Sequence, residues 1–149
     1  MRILLQRVSS GKVFINNKVV GKIGKGYVIL LGVKEGDSEK EADMLVEKIV
    51  NLRVMSDKED KMNLAIKDVE GEILVVSQFT LYADLSAGRR PSFIKAAKPE
   101  LAKKLYEYFI AKLRSLGIKN VQTGEFGAYM SVEIVNEGPV TIMMDSEEL

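Results

Sequence analysis

Two continuous apolar runs, Tyr27-Val28-Ile29-Leu30-Leu31 and Ile73-Leu74-Val75-Val76, constrain the fold of this chain more than any other feature. Each reads as a strand buried inside a sheet, since a strand with one wet face alternates apolar and polar residues. Between them lies a helix signal that begins at Gly36-Asp37-Ser38. Ser38 and Glu41 fit an S-x-x-E capping box, and Ala42, Leu45, Val46, Ile49 and Val50 recur at i, i+3 and i+4 spacing. That stripe is a core face, not a binding face. The patterning predicts an α/β fold.

The flanking segments extend the sheet. Ile3 to Val8 and Val13-Phe14-Ile15 read as strands, with Asn16-Asn17 as the turn into Val19-Val20, a hairpin. A polar excursion runs through Ser56 to Lys61. A second helix is predicted from Pro99, a good first-turn residue, to about Leu116, with Leu101, Leu105, Phe109, Leu113 and Leu116 on one face and Gly117 as its stop. Tyr106 and Tyr108 read as packing residues on that helix. Three strands are predicted to finish the chain, near Val121, across Ala128 to Val135, and from Val140 to Met144. With 149 residues and no repeat or linker, residues 1–149 are expected to form a single domain burying roughly two-thirds of its unfolded surface. At that size no cofactor or disulfide is needed for stability.

The chain contains no histidine and no cysteine. It therefore has no means of building a Ser-His-Asp triad, a Cys-His pair or a zinc site of the common His/Cys kind, and no metal site is expected. Hydroxyls, amides, carboxylates, cationic side chains and backbone dipoles remain. Two polar-small segments concentrate such groups: Ser77-Gln78-Phe79-Thr80-Leu81-Tyr82-Ala83, at the carboxyl end of the second apolar run, and Asn136-Glu137-Gly138-Pro139-Val140-Thr141. The first is well placed, because ligands of helix-covered sheets tend to bind beyond the carboxyl ends of strands. The formal net charge of +1 rules out a uniformly basic coat, so any phosphate contact must be local. One candidate is Gly88-Arg89-Arg90-Pro91-Ser92-Phe93, followed by Lys95 and Lys98. The apolar run after Met1-Arg2 is too short for a signal h-region or a membrane span, so the expectation is a cytoplasmic protein with no membrane partner.

Together these segments resemble a known family. Ser77-Gln78-Phe79-Thr80-Leu81, Asn136-Glu137-Gly138-Pro139-Val140-Thr141, Gly88-Arg89-Arg90-Pro91-Ser92-Phe93, Gln6-Arg7-Val8 and Thr123-Gly124-Glu125-Phe126-Gly127-Ala128 match, in order, the signature segments of bacterial D-aminoacyl-tRNA deacylases. The resemblance spans the whole chain, with a small departure at Gly11-Lys12. It implies a three-layer α/β/β fold with a mixed sheet and two main helices. It also implies an editing hydrolase that cleaves the ester joining a D-amino acid to the 3′-terminal adenosine of tRNA, with no cofactor. The family forms a homodimer in which a partner loop completes each pocket. That loop matches Gly138-Pro139, joined in the family by a cis peptide bond; the residues alone give a trans proline, since X-Pro is cis in only about 5–6% of cases. By the same resemblance Ser77, Gln78, Phe79 and Thr80 form the catalytic segment, Asn136 and Thr141 belong with the Gly138-Pro139 chiral gate, and Arg7 orients it. Arg89 and Arg90 are the candidate tRNA contacts.

The residues themselves leave the chemistry open. Ser77 and Thr80 each have an ordinary use as hydroxyls satisfying nearby backbone groups, and neither has an evident base. An aminoacyl ester carries its own vicinal ribose hydroxyl, which offers a substrate-assisted route with backbone amides near Phe79 and Thr80 as oxyanion donors; Thr80 as nucleophile is the rival. A hydrolase of free D-amino-acid esters or peptides, and a non-catalytic nucleic-acid-binding dimer, are the alternative functions.

Overall fold

A computed structural model describes residues 1–149. Its organising element is the first strand, β1 (Arg2–Ile15), which serves three partners. Residues Arg2 to Val8 pair antiparallel with β3 (Gly26–Gly32), and Gly11 to Ile15 pair with β2 (Lys18–Ile23). The other edge of β1 pairs along its length with the last strand, β8 (Ser131–Asp145). The Asn16-Asn17 turn between β1 and β2 has positive φ at both residues, 49° and 61°, as a tight hairpin turn of matching twist requires.

The remaining strands of this sheet join it in parallel. Helix α1 (Glu39–Asn51) carries the chain from β3 to β6 (Glu72–Ser77), and α2 (Pro99–Ser115) carries it on to β7 (Val121–Thr123). Both β3 with β6 and β6 with β7 are parallel, so the sheet, in order β2-β1-β3-β6-β7 with β8 on β1, is mixed. Side-chain alternation then divides it into layers. Ile3, Leu5, Tyr27, Ile29, Leu31, Ile73 and Val75 pack against α1 and α2 in the main core. Val8, Val13, Val28, Leu74 and Val76 point the other way, into a smaller core covered by Met130, Val132 and Ile134 of the β8 side. Helices, central sheet and outer strands form the expected three layers.

The capping box at Ser38 and Glu41 is formed in full, and every residue of the predicted α1 stripe is buried. On α2 the buried set is Ala102, Leu105, Tyr106, Phe109, Ile110 and Leu113, with Leu116 already past the last turn. The two helices are joined through Asp43, which accepts from the Tyr108 hydroxyl at 3.0 Å and pairs with Lys112 at 2.9 Å.

Three predicted boundaries are corrected. The two segments Ile3–Val8 and Val13–Ile15 are one strand of 14 residues. Gly11 permits this, because a Cβ there would stand 2.7 Å from Val28 Cγ2 where β1 passes over β3. The two strands predicted at the end of the chain are one strand of 15 residues, with Asn136–Thr141 inside it. The polar excursion after α1 is flanked by a small hairpin, β4 (Met55–Ser56) with β5 (Met62–Leu64), and its turn is held by Asp57, which accepts from the amides of Glu59 and Lys61.

Candidate active site

The first polar segment sits where the parallel strands end. Ser77, the last residue of β6, is in register with Leu31 of β3, and Gln78 then leaves the strand with φ −145° and ψ 77°. Its amide donates to Leu31 O at 2.7 Å, which pins the chain as it turns into one short 3₁₀ helix, Phe79–Tyr82. No side chain caps that helix, and its first amides have no partner within a 3₁₀ pattern. The Gln78 side-chain amide donates to the Thr80 hydroxyl, so the Thr80 oxygen is an acceptor here.

The turn forms one lip of a cleft of about 580 Å³. Phe79, more than half exposed, meets the Phe93 ring edge-on, with centroids 4.9 Å apart. The far wall comes from α2 and from the segment after β7, including Ala102, Tyr106, Phe126 and Met130. No Asp, Glu, Lys or Arg lines this cleft. The Tyr106 hydroxyl donates to Val75 O at 3.1 Å, and burial pushes its pKa up to about 12, which removes it as a base near neutrality. The cleft can bind an apolar or flat aromatic group and can offer amides and hydroxyls to a polar one. It has no acid–base pair of its own.

The basic run forms a loop beside the same cleft. Asp84 and Ser92 exchange backbone hydrogen bonds at 2.8 and 2.9 Å, which closes the loop. The Asp84 carboxylate accepts from the Ser86 hydroxyl at 2.6 Å and amide at 3.0 Å and pairs with Lys95 at 3.2 Å. These contacts, the Ser86 hydroxyl foremost, hold its pKa down at about 2. Arg89 and Arg90 stand exposed at the tip of this loop, and Phe93 at its base is the ring that meets Phe79.

The second polar segment is elsewhere. Val8 of β1 faces Asn136 and Gln6 faces Thr141, so Glu137, Gly138, Pro139 and Val140 all stand opposite Arg7 and bulge from β8. The Gly138-Pro139 bond is cis. Gly138 has φ 123°, a conformation that residues with a Cβ rarely adopt, and a Cβ there would lie 3.1 Å from the Arg7 guanidinium. Arg7 is buried and braces the bulge: Nε donates to Glu137 O at 3.2 Å, while Nη1 donates to Val54 O at 2.8 Å. Asn136, Gly138, Pro139 and Thr141 are exposed and none lines the cleft. The cleft opens beside Leu31, which faces Ile3, whereas the bulge faces Arg7 four residues further along β1, about 13 Å of strand.

The structure thus brings Ser77, Gln78 and Phe79 to the cleft beside the base of the Arg89-Arg90 loop, while Thr80 follows in the same turn, bonded to Gln78, without lining the cleft. It brings Arg7 together with Asn136, Gly138, Pro139 and Thr141, and within one chain it does not join the two groups. Sequence reasoning passed over Phe93, Phe126 and Met130 as cleft walls. For Phe93 and Phe126 the only signal was membership of the quoted segments, since an aromatic in a loop has no periodicity to mark it, and Met130 was marked only as an apolar position of the predicted strand Ala128 to Val135.

Comparison with known proteins gives the family and the fold. Residues 4–145 match the family model described as D-Tyr-tRNA(Tyr) deacylase. A protein of Thermosipho melanesiensis named D-aminoacyl-tRNA deacylase is 54% identical over 149 residues, 100% of this chain and 99% of its own length. One of Clostridioides difficile with the same name is 51% identical over 148 residues, 99% of each chain. Among solved structures, that of "c-Myc DNA Unwinding Element Binding Protein" superposes with a TM-score of 0.92 at 39% identity, covering 97% of this chain and 98% of that one. A likeness in fold alone, with a TM-score of 0.80 at 19% identity, links the chain to "Structural Analysis of a probable eukaryotic D-amino acid tRNA deacylase", covering 96% of this chain and 97% of that one. A model matched across nearly the whole chain, and relatives above half identity over their full lengths, place it: the chain belongs to the D-Tyr-tRNA(Tyr) deacylase family.

Proposed function

We propose that this protein is a tRNA-editing hydrolase that cleaves the ester between a D-amino acid and the 3′-terminal adenosine of tRNA, with substrate-assisted chemistry. The observation that carries the proposal is the cleft itself. Its lip is formed by Ser77, Gln78 and Phe79, with Thr80 next in the same turn, its walls are apolar, and no carboxylate or amine lines it. Hydrolysis adds water to the ester carbonyl carbon, breaks the bond to ribose O3′, and returns a proton to that oxygen. With no protein base at hand, the vicinal 2′-hydroxyl is the group placed to assist proton movement, while amides around Phe79 and Thr80 receive the developing oxyanion. Losing one such donor typically costs about 2.7–4 kcal/mol. The acceptor role of the Thr80 oxygen toward Gln78 gives it no partner that would remove its proton, which disfavours it as nucleophile.

The reading includes a homodimer. The Gly138-Pro139 bulge is exposed and remote from its own chain's cleft, so its use there requires insertion from a partner subunit. Inserted backbone carbonyls would then exclude an L side chain sterically. Favourable contacts worth about 1–3 kcal/mol per methylene discriminate poorly, whereas sparing L products by four decades requires more than about 5 kcal/mol. A rigid obstacle can supply that difference.

The test uses D-tyrosyl-tRNA, L-tyrosyl-tRNA, D-tyrosine methyl ester and a D-tyrosyl-tRNA whose terminal adenosine lacks the 2′-hydroxyl. Only the first is expected to be cleaved efficiently. Rapid cleavage of the methyl ester indicates a general esterase, and normal cleavage of the 2′-deoxy substrate refutes the substrate-assisted route. Thr80→Ala is expected to retain measurable deacylation.

A further inference from the structure

The 3₁₀ turn Phe79–Tyr82 is short and has no side-chain cap, yet it carries the atoms on which the proposed chemistry depends. Something outside the turn must therefore hold it. On one side Gln78 is pinned to Leu31 O. On the other, Arg2 of β1 reaches the carbonyl of Leu81, which its Nη1 meets at 2.9 Å. The same guanidinium lies over the Tyr82 ring, 4.8 Å from its centroid, and both Nε and Nη2 reach Asp145 Oδ2 at 2.8 Å. Asp145 is buried, faces Arg2 directly across β1 and β8, and is itself fixed by the Glu147 amide, which donates to Oδ1 at 3.1 Å. Arg2 is thus engaged on three sides: two donors on a carboxylate, one on the turn's carbonyl, and one face of its plane on an aromatic ring. A lysine cannot reproduce this, having one compact ammonium and no plane.

We propose that Arg2 is a positioning residue for the deacylation reaction, anchored by Asp145 and Tyr82, that fixes the Ser77–Tyr82 turn through the Leu81 carbonyl. It touches neither the cleft nor any substrate atom. Its role is to set where the Phe79 and Thr80 amides stand relative to the ester. The inference rests on the deacylase reading for its kinetic consequence, but its structural half is independent of substrate.

The experiment compares Arg2→Lys with wild type by two readouts. The first is hydrogen exchange at the Leu81 and Ala83 amides, which are bonded within the turn to Gln78 O and Thr80 O. The second is kcat and KM for D-tyrosyl-tRNA. The expected result is faster exchange at those two amides, a kcat lowered by about 10- to 100-fold, as misplacement near 1 Å can produce, and a KM within about two-fold. Unchanged exchange in the turn, an unchanged kcat, or a rise confined to KM overturns the inference. Wild-type protein inactive on D-tyrosyl-tRNA overturns the deacylase reading instead, and exchange alone then decides the structural half. Should Arg2→Lys fail to fold, Tyr82→Leu, which removes the ring under the guanidinium, is judged by the same outcomes.

Discussion

Arg7→Lys separates a brace from a mere surface charge. The native guanidinium is buried and spans two carbonyl oxygens on different parts of the chain, Val54 O through Nη1 at 2.8 Å and Glu137 O through Nε at 3.2 Å, with the Glu137 carboxylate a further 3.8 Å contact. A lysine ammonium has three donors but on one nitrogen, so it does not span the two carbonyls that the Arg7 fork meets from separate nitrogens, and one of them loses its partner. A hydrogen bond from a charged donor is worth about 1.5–3 kcal/mol, and because Glu137 is exposed, water can reach its abandoned carbonyl, so no large desolvation cost is added. We therefore expect a loss of about 2–3 kcal/mol, which at about 2–4 °C per kcal/mol for a chain of this size lowers the melting temperature by about 4–12 °C. The functional effect depends on which carbonyl is abandoned. Retaining Val54 O, the more buried, releases the Gly138-Pro139 bulge, so cleavage of L-tyrosyl-tRNA should rise relative to D-tyrosyl-tRNA. Calorimetry and paired deacylation assays on the same preparation check both numbers. A variant that melts within about 1 °C of wild type and keeps its D-to-L ratio refutes the brace.

Other outcomes follow from the same geometry. Replacing both Arg89 and Arg90 with alanine should weaken tRNA binding and flatten its salt dependence, since fewer counterions are released, while kcat changes little; an unchanged salt slope in filter binding assigns them to the surface. Glycyl-tRNA, with no side chain to collide, should be hydrolysed while L-alanyl-tRNA survives, and equal sparing of both would mean that the D side chain is recognised positively. The loop bearing the arginines should resist acid. Because the Asp84 pKa lies below its ordinary value, its tether is fully present above the usual carboxylate range and is lost only as pH falls through about 2. The Ser86 amide, followed by NMR, should titrate with a midpoint near 2, and a midpoint near 4 contradicts the tether.

Much of the fold was legible in the residues because local physics decides it. Ser38 and Glu41 cap α1 whatever surrounds them, and the spacing of Ala42, Leu45, Val46, Ile49 and Val50 leaves that helix one face to bury. The runs at Tyr27–Leu31 and Ile73–Val76 became the central parallel strands because nothing polar in them tolerates solvent. The position of Ser77–Thr80 was legible as a polar group beyond the end of an apolar run, and Arg89-Arg90 as a cluster of cations in a loop before the second helix.

Long-range pairing decided the rest. Whether residues 128–144 form two strands or one is set by β1, whose length gives both halves a partner and absorbs Glu137–Val140 as a bulge opposite Arg7. The Arg7 partner Val54 and the Arg2 partners Leu81 and Asp145 lie 47, 79 and 143 residues away along the chain, so no local pattern announces them. A sequence displays periodicity and caps because those depend on neighbours within a turn or two. It does not display which distant carbonyl a buried guanidinium will reach, because that distance exists only once the sheet has closed.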